Sequence, residues 1–137
     1  MTLWFVRIVS WVLVTSYAYG ALVHVQNILG LNGFDWADAP LKWRVLDITY
    51  LVLDMTVVVG LMTGLLLGYV AFFVAATSQI LLYTVFRKWI VHVPGKFVRS
   101  PEEITYLDGL VAFHIVTILL VCLAIWLKRR AAAPNSD

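Results

Sequence analysis

The chain has 137 residues, of which 62% are hydrophobic, and its mean hydropathy is +0.90. This composition excludes an ordinary water-soluble domain, in which apolar residues make up about half of the sequence. The formal charge of +2 is small, and the basic residues cluster at the ends of apolar segments. That distribution is typical of a membrane edge and argues against nucleic acid as a partner. The length suits a single domain covering residues 1–137.

Four apolar segments predict an all-α membrane protein, a four-helix transmembrane bundle. A helix needs about 20 mostly apolar residues to cross a bilayer, and each segment offers that length. The first segment also exceeds the roughly 7–15 apolar residues of a signal sequence, so we interpret it as a retained helix. The predicted helices cover residues 3–29, 42–63, 67–86 and 102–127, and residues 131–137 form a short polar tail.

Local signals support these boundaries. Ser100 and Glu103 have the spacing of a capping box at the start of the fourth helix. Gly60, Gly64 and Gly68 recur every four residues, which permits close helix packing within the bundle or with a partner chain. Gly64 and Gly68 also suit the turn between the second and third helices.

The predicted topology puts both termini and the 64–68 hairpin on one membrane side, side A, and two longer loops on side B. Basic residues are more numerous on side B, which favours that side as cytoplasmic. The compact basic cluster after the fourth helix and the acidic, aromatic 30–40 loop favour the opposite orientation. We predict a bacterial inner-membrane protein with cytoplasmic termini.

Five ionisable residues lie inside the apolar helices: His24, Asp47, Asp54, Asp108 and His114. Such residues are costly in lipid, so they usually face a bundle interior and mark a site or pathway. From the rise of ~1.5 Å per residue, His24, Asp47 and Asp108 lie roughly 5–7 Å below the side-B edge, and Asp54 and His114 roughly 12–15 Å below it. The polar groups therefore predict a cavity that is open to side B and closed towards side A.

The predicted centre of this cavity is Asp54 with His114, supported by His24, Gln79 and Tyr83. Asp54 suits a proton carrier or a ligand-binding carboxylate, or alternatively a carboxyl group that joins helices. His114 suits a hydrogen bond to a quinone, proton transfer or metal ligation, or alternatively a packed histidine bonded to a backbone carbonyl. We therefore predict a buried quinone or proton site.

Asp47, Asp108 and Arg44 are predicted at the rim of this site. Helix phase turns Asp108 roughly 120° away from the inward histidine of its helix. We expect Asp108 to pair with Arg44 or Arg99. An ion pair with Lys42 or Arg44 explains Asp47 as well as a role in the site does.

Metal and haem are alternative occupants. A metal would take His24, His114 and Asp54, with Asp47 and Asp108 as further candidates, and mixed His and carboxylate ligands suit Fe, Mn, Zn or Cu. No short-range ligand motif supports this set. A haem between the two histidines requires axial nitrogens approximately 4 Å apart, but their depths differ by roughly 8 Å. A quinone is therefore favoured over haem or metal.

Several features stand in a characteristic order, an early arginine, a late glycine, an intramembrane acid and two following glycines: Arg7, Gly20, Asp54, Gly60 and Gly64. Over about residues 5–90 this order resembles the DoxX-like group of small four-helix membrane proteins. That family more often has Glu in the second helix, and His24 with Asn27 and the acidic loop depart from its pattern. The resemblance implies a four-helix bundle, often a subunit associated with quinone-linked redox chemistry.

Together these observations predict a small integral-membrane subunit of a larger membrane redox complex. It would pack against catalytic subunits and help to line a quinone or proton site. The expected partners are the lipid bilayer and either other membrane subunits or further copies of this chain. The alternatives are a stand-alone small proton-coupled transporter, which needs access from both sides, and a metal-dependent membrane enzyme that uses the His/Asp cluster.

Overall fold

The computed structural model describes residues 2–93 and 95–132, and the side chains of residues 4–93 and 95–132. All regular structure within these residues is helical, which confirms the predicted all-α class. The helices are α1 (Thr2–Ile28), α2 (Leu41–Met62), α3 (Leu66–Tyr83), α4 (Arg87–Val91) and α5 (Pro101–Ala132), and a 3₁₀ turn covers Gly95–Phe97.

Four of these helices, α1, α2, α3 and α5, are long and apolar enough to cross a membrane. Their bounds differ from the predicted ones mainly at two places. α5 runs to Ala132 instead of ending near residue 127, because its closing basic residues suit the negative end of a helix dipole. α3 ends at Tyr83, and α4 lies in a stretch that was predicted as loop. The polar tail beyond Ala132 lies outside the described residues.

The bundle is closed around one apolar core. α1 packs on α2, α2 on α3, α3 on α5, and α5 returns to α1. The largest fully buried side chains at the centre come one from each long helix: Leu13, Val57, Phe72 and Val121. These residues and their neighbours fill the side-A half, while the outward faces of the helices carry large apolar side chains. These apolar outer faces are compatible with contact with a lipid bilayer.

The glycine spacing serves the α2–α3 hairpin itself. A Cβ atom on Gly60 would lie only 2.4 Å from the Cα atom of Gly68, so the two backbones touch. Gly64, between them, has a φ of +71°, a conformation that favours glycine in a tight turn. The sequence left open whether these glycines pack within the bundle or against a partner chain. In the structure Gly60 and Gly68 pack against each other within the chain.

Two connecting segments lie over the side-B end of the bundle, one between α1 and α2 and one between α3 and α5. We call them together the side-B cover (residues 29–40, 84–93 and 95–100). Lys96 Nζ donates to Asp35 Oδ2 (2.7 Å) and to Asp38 Oδ2 (3.0 Å), which ties the two loops together. The hydrogen bond from Lys96 holds the pKa of Asp35 below its usual range, and the same bonds raise the pKa of Lys96.

Aromatic packing fixes this cover to the helices below it. The rings of Phe34, Trp43 and Phe97 pack together with centroids 5.9 to 6.3 Å apart. Trp43 Nε1–H donates to the carbonyl of Ile90 (2.9 Å), and the Arg99 guanidinium lies 4.4 Å from the Trp43 ring centroid. The cover is therefore part of the folded structure over the polar half of the bundle.

The predicted capping box is present at the start of α5. The Ser100 backbone N–H donates to Glu103 Oε2 (2.8 Å), and the Glu103 N–H donates to Ser100 Oγ (3.3 Å). Two N–H groups that a helix start leaves unpaired are satisfied in this way. The box fixes where α5 begins, and with it the depth of His114.

Candidate functional site

A cavity of about 580 Å³ lies in the side-B half, between α1 and α5, with α2 and α3 as its back wall. Tyr17, Asp54 and His114 form its deep end, and each is only 3% exposed. A second cavity of about 400 Å³ adjoins it beneath the side-B cover. The two share lining residues from all four long helices and the cover: His24, Asn27, Asp47, Tyr50, Tyr83, Arg99 and Glu103.

His24 joins the two polar layers that helix depth had separated. Its Nδ1 atom lies 2.8 Å from Asp47 Oδ1, and its Nε2 atom lies 3.9 Å from Asp54 Oδ2. Asn27 Nδ2 also donates to Asp47 Oδ1 (3.2 Å), and the His24 ring stacks on Tyr50 with centroids 6.1 Å apart. Asp47 and Asp54 share a face of α2, so one imidazole from α1 reaches both carboxyl groups.

Gly20 allows α1 to approach Asp54. A Cβ atom at Gly20 would lie 2.5 Å from Asp54 Oδ2, so any side chain at this position would displace the carboxyl group. The carboxyl group is therefore held against bare backbone on one side and directed towards His24 on the other. Its second oxygen, Oδ1, is buried without a hydrogen-bond partner in the protein.

His114 is oriented by Gln79. His114 Nε2 lies 2.9 Å from Gln79 Oε1, which can only accept, so Nε2 is the protonated nitrogen. The other nitrogen, Nδ1, is buried without a protein partner. The imidazole also packs against Tyr17 and Phe113, with ring centroids 6.3 and 5.3 Å away. These contacts fix the ring beside the cavity and leave Nδ1 for an occupant.

The tyrosines add hydroxyl groups to the same half of the bundle. Ser78 Oγ donates to the carbonyl of Ala75 (3.0 Å), so the Tyr50 hydroxyl donates to Ser78 Oγ (3.0 Å) and joins α2 to α3. Tyr83 lines both cavities. The Tyr17 hydroxyl is buried and has no partner in the protein.

The predicted pairing of Asp108 is wrong. Asp108 pairs with Arg87, with Oδ2 3.1 Å from Nη2, rather than with Arg44 or Arg99. The pair lies on the outer surface, where the Asp108 side chain is 57% exposed. The reason is α4, which the sequence did not predict and which brings Arg87 against α5.

Of the two explanations offered for Asp47, the ion pair with Lys42 or Arg44 is not formed. Asp47 is buried and faces His24, whereas Lys42 contacts the backbone carbonyls of Trp89 and His92. Arg44 lies outside both cavities, with its guanidinium 5.9 Å from the ring centroid of Trp36. The basic group at the cavity mouth is instead Arg99, which Glu103 holds at 3.2 Å.

Sequence reasoning missed several cavity residues. The sequence predicts Arg99 in a loop and Glu103 and Tyr106 in the fourth helix, and none of the three as a site residue, although they line the mouth. Tyr17 carries a detectable signal, because it is seven residues from His24 and therefore shares its helix face. Nothing in the sequence indicates that Arg99 folds back over the site.

The metal alternative finds no support in the side-chain geometry. Among residues 4–93 and 95–132, no group of three or more His, Cys, Asp or Glu side chains is arranged to hold a metal ion.

Comparison of the chain with protein-family models, with characterised proteins and with solved structures finds no match. The resemblance to DoxX-like proteins therefore stays a prediction based on its residues. Two of those residues, Gly20 and Asp54, lie in contact across α1 and α2.

Proposed function

We propose that this chain is a small integral subunit of a membrane redox complex and that its side-B cavity binds the head group of a lipid-soluble quinone. The observation that carries the proposal is the cavity itself, which combines buried polar atoms of Tyr17, Asp54 and His114 with aromatic walls inside the polar half of a membrane bundle. We assign it to a bacterial inner membrane with its termini in the cytoplasm.

The size and lining of the cavity suit such a head group. Small-molecule sites commonly enclose about 300–1,000 Å³ and combine apolar walls with a few well-placed polar groups. Tyr19 and Tyr106 border the cavity from α1 and α5 and are 64% and 58% exposed on the outer surface. A lipid-soluble ligand could therefore enter between these two helices without leaving the bilayer.

The same site can exchange protons with side B. Asp47, His24 and Asp54 form a chain of titratable groups that begins beneath the cover and ends at the deep end of the cavity. Histidine is suited to pass a proton because its nitrogens accept and release one near neutral pH. A quinone changes its proton content when it changes its redox state, so a proton chain beside its head group is chemically consistent.

One-sided access favours a subunit over a stand-alone transporter. Leu13, Val57, Phe72 and Val121 close the side-A half with fully buried apolar packing. The glycine pair Gly60 and Gly68 is used inside the chain, so the partner surface would be one of the apolar outer faces. Those faces suit both lipid and the helices of a neighbouring subunit.

Photoaffinity labelling tests the quinone site. We expect an azidoquinone to label the α1 and α5 peptides that contain Tyr19 and Tyr106 in protein reconstituted into lipid nanodiscs. Tyr17→Phe should reduce the labelling, because it removes a hydroxyl group that can donate to a quinone carbonyl, while Asp108→Asn, on the outer surface of α5, should leave it unchanged. Labelling that spreads evenly over the helices, or that excess unlabelled quinone does not reduce, would contradict the site.

The subunit role needs a separate test. Cross-linking in native membranes, followed by purification under mild detergent, should yield this chain with redox-active membrane subunits. If the chain is instead recovered as a monomer that carries no cross-linked partner and no quinone, the subunit role is contradicted.

A proton-coupled carrier is the second candidate, and the Asp47–His24–Asp54 chain is the observation that favours it. Such a carrier would acidify or alkalinise the lumen of proteoliposomes when it transports its solute. Proton flux that disappears in Asp54→Asn and persists in Asp108→Asn would select this function over the subunit role.

A further inference from the structure

Three buried polar atoms around the cavity have no partner in the protein: Tyr17 Oη, Asp54 Oδ1 and His114 Nδ1. Buried polar groups in native proteins are nearly always hydrogen-bonded, and each one left unpaired destabilises the folded protein. Three such atoms on residues that line one cavity therefore indicate that an occupant of this cavity satisfies them. Their donor or acceptor character says what the occupant must offer.

His114 Nδ1 is an acceptor. Gln79 Oε1 lies 2.9 Å from Nε2 and has no hydrogen to give, so the imidazole proton is on Nε2. In the neutral ring the other nitrogen then presents a lone pair. Gln79 thus sets the tautomer of His114, and this tautomer leaves Nδ1 as an acceptor with no protein partner, on a residue that lines the cavity.

Asp54 Oδ1 is an acceptor as well. His24 Nδ1 faces the Asp47 carboxyl group at 2.8 Å and donates to it, while His24 Nε2 faces Asp54 Oδ2 at 3.9 Å. The second distance is longer than a hydrogen bond, so the two groups interact through their charges. An ionised Asp54 carboxylate has no hydrogen to give, and its Oδ1 then only accepts.

The cavity lining also includes hydroxyl groups such as that of Tyr83, which can donate or accept and therefore suit either form of the ring. The Tyr17 hydroxyl can donate or accept. The Arg99 guanidinium lies at the mouth, where it is bonded to Glu103 and packed on Trp43. A ligand carbonyl could be met by Tyr17 but would leave the acceptors of Asp54 and His114 unpaired.

We infer that the deep end of this cavity selects a head group that donates hydrogen bonds, and that it holds the hydroquinone form of a membrane quinone in preference to the quinone form. The inference rests on the proposed quinone site. A hydroquinone carries two O–H donors, which can reach His114 Nδ1 and Asp54 Oδ1. A quinone presents only carbonyl acceptors, so it leaves both protein acceptors without a hydrogen.

Three ligands that share one ring distinguish the effect of hydrogen-bond donation by the ligand from the effect of its shape. Binding of duroquinol, duroquinone and the dimethyl ether of duroquinol to the full chain in nanodiscs is measured by calorimetry, with duroquinol kept reduced under anaerobic conditions. We expect duroquinol to bind at least about tenfold more tightly than duroquinone, since one satisfied buried acceptor is worth that much. The dimethyl ether should bind no more tightly than duroquinone.

A matched pair of variants tests which acceptor is responsible. Asp54→Asn adds an N–H donor at almost unchanged shape, so we expect the preference for duroquinol to fall by about tenfold. Asp108→Asn makes the same change at the outer surface of α5 and should leave the preference intact. The ligand comparison on the unsubstituted protein needs no variant, so it stands even if Asp54→Asn fails to fold.

The outcomes distinguish the two proposals. If none of the three ligands binds, the quinone site and this inference both fall. If duroquinone binds as tightly as duroquinol, or if the dimethyl ether matches duroquinol, the inference is overturned while the quinone site stands.

Discussion

The position of the Asp54 carboxyl group depends on Gly20, a residue without a side chain. A methyl group at Gly20 would lie 2.5 Å from Asp54 Oδ2 and 3.5 Å from its Cγ, so the carboxyl group would have to turn away from its place beside His24. Gly20→Ala should therefore cost roughly 1 kcal/mol of stability, through an unfavourable rotamer, and weaken ligand binding more than it weakens the fold. Chemical unfolding in detergent and duroquinol binding measure the two effects.

Gly109→Ala is the control for this change. Gly109 also lies in a long helix, but nothing stands within 4 Å of a Cβ atom placed there. Because alanine is the better helix former, we expect a gain of up to about 1 kcal/mol and no change in binding. Equal behaviour of the two variants would show that the approach of α1 to Asp54 is looser than described.

The pair formed by Gln79 and His114 should be energetically coupled. Gln79→Leu leaves the buried N–H of His114 without an acceptor and should cost about 1–3 kcal/mol. In the background of His114→Phe that N–H is absent, so the same substitution should cost clearly less. A double-mutant cycle of unfolding free energies measures the difference. Strictly additive losses would contradict the bond, and Thr77→Val, at an exposed position of α3, controls for the helix.

For single residues, the sequence predicts which polar groups are buried in the bundle but does not predict which side chains they contact. Asp54 and His114 stand out because charge is rare in apolar helices. The partner of Asp47 could have been any of several nearby groups, and the choice of His24 depends on how α1 is rotated against α2. The partner of Asp108 depends on the path of the chain after α3, which hydropathy does not encode.

The α2–α3 hairpin depends on contact between two backbones. In Gly60→Ala the new methyl group would meet the Cα and N atoms of Gly68 at 2.4 and 2.5 Å, and backbone atoms cannot move aside as a side chain end can. We expect a loss of about 1–3 kcal/mol, larger than for Gly20→Ala. Thermal unfolding in detergent measures it, and Gly109→Ala again serves as the control. A loss no larger than that of the control would mean that the helices can separate freely here.

The side-B cover should loosen at both extremes of pH. The pKa of Asp35 is lowered by its bond to Lys96, so the stabilisation is complete above the usual aspartate value of about 3.9 and is lost as the pH falls through the lowered value. The pKa of Lys96 is raised, so stabilisation persists up to the usual lysine value of about 10.4 and is lost as the pH rises further. Hydrogen exchange of the cover peptides measures this window.

Lys96→Gln removes the ion pairs that create the window. In this variant the exchange of peptides covering residues 29–40 should be faster at neutral pH and nearly independent of the charge of Asp35. Lys128→Gln, at the far end of α5, should leave that exchange unchanged. If these peptides keep their protection from hydrogen exchange in Lys96→Gln, the ion pairs do not stabilise the cover and its aromatic packing alone holds it in place.

Among the elements, the long helices and the capping box were predictable and α4 was not. A run of apolar residues and the Ser100–Glu103 spacing each report a local physical preference. α4 has only five residues, too few to show a helical period, and it is placed by contacts such as Trp43 to Ile90. Its position in turn decides the pairing of Arg87.

For the whole molecule, the four-span arrangement predicts which positions share a membrane side. In a Cys122→Ser background, Glu102→Cys at the cavity mouth and Leu65→Cys in the α2–α3 hairpin should react with a membrane-impermeant maleimide from opposite sides of sealed vesicles. Labelling of both cysteines from the same side would contradict the arrangement. The side that exposes Leu65→Cys is the side of the termini and fixes their orientation.

The concentration of polar groups in one half of the bundle followed from the rise per residue alone. The opening between α1 and α5 did not, because it depends on which helices are neighbours around the bundle and on side chains such as Tyr19 and Tyr106. The rise per residue gives the depth of a residue in the membrane. The shape of a cavity also depends on the order of the helices around the bundle.

The polar contacts also bear on how the chain enters the membrane. His24 meets Asp47 and Asp54 across α1 and α2, and Gln79 meets His114 across α3 and α5, so each pair lies between helices that follow one another in the bilayer. A polar side chain is easier to insert when its partner inserts with it. We therefore expect two hairpins to enter lipid in turn, each already carrying its own matched pair, with the cavity created when they dock.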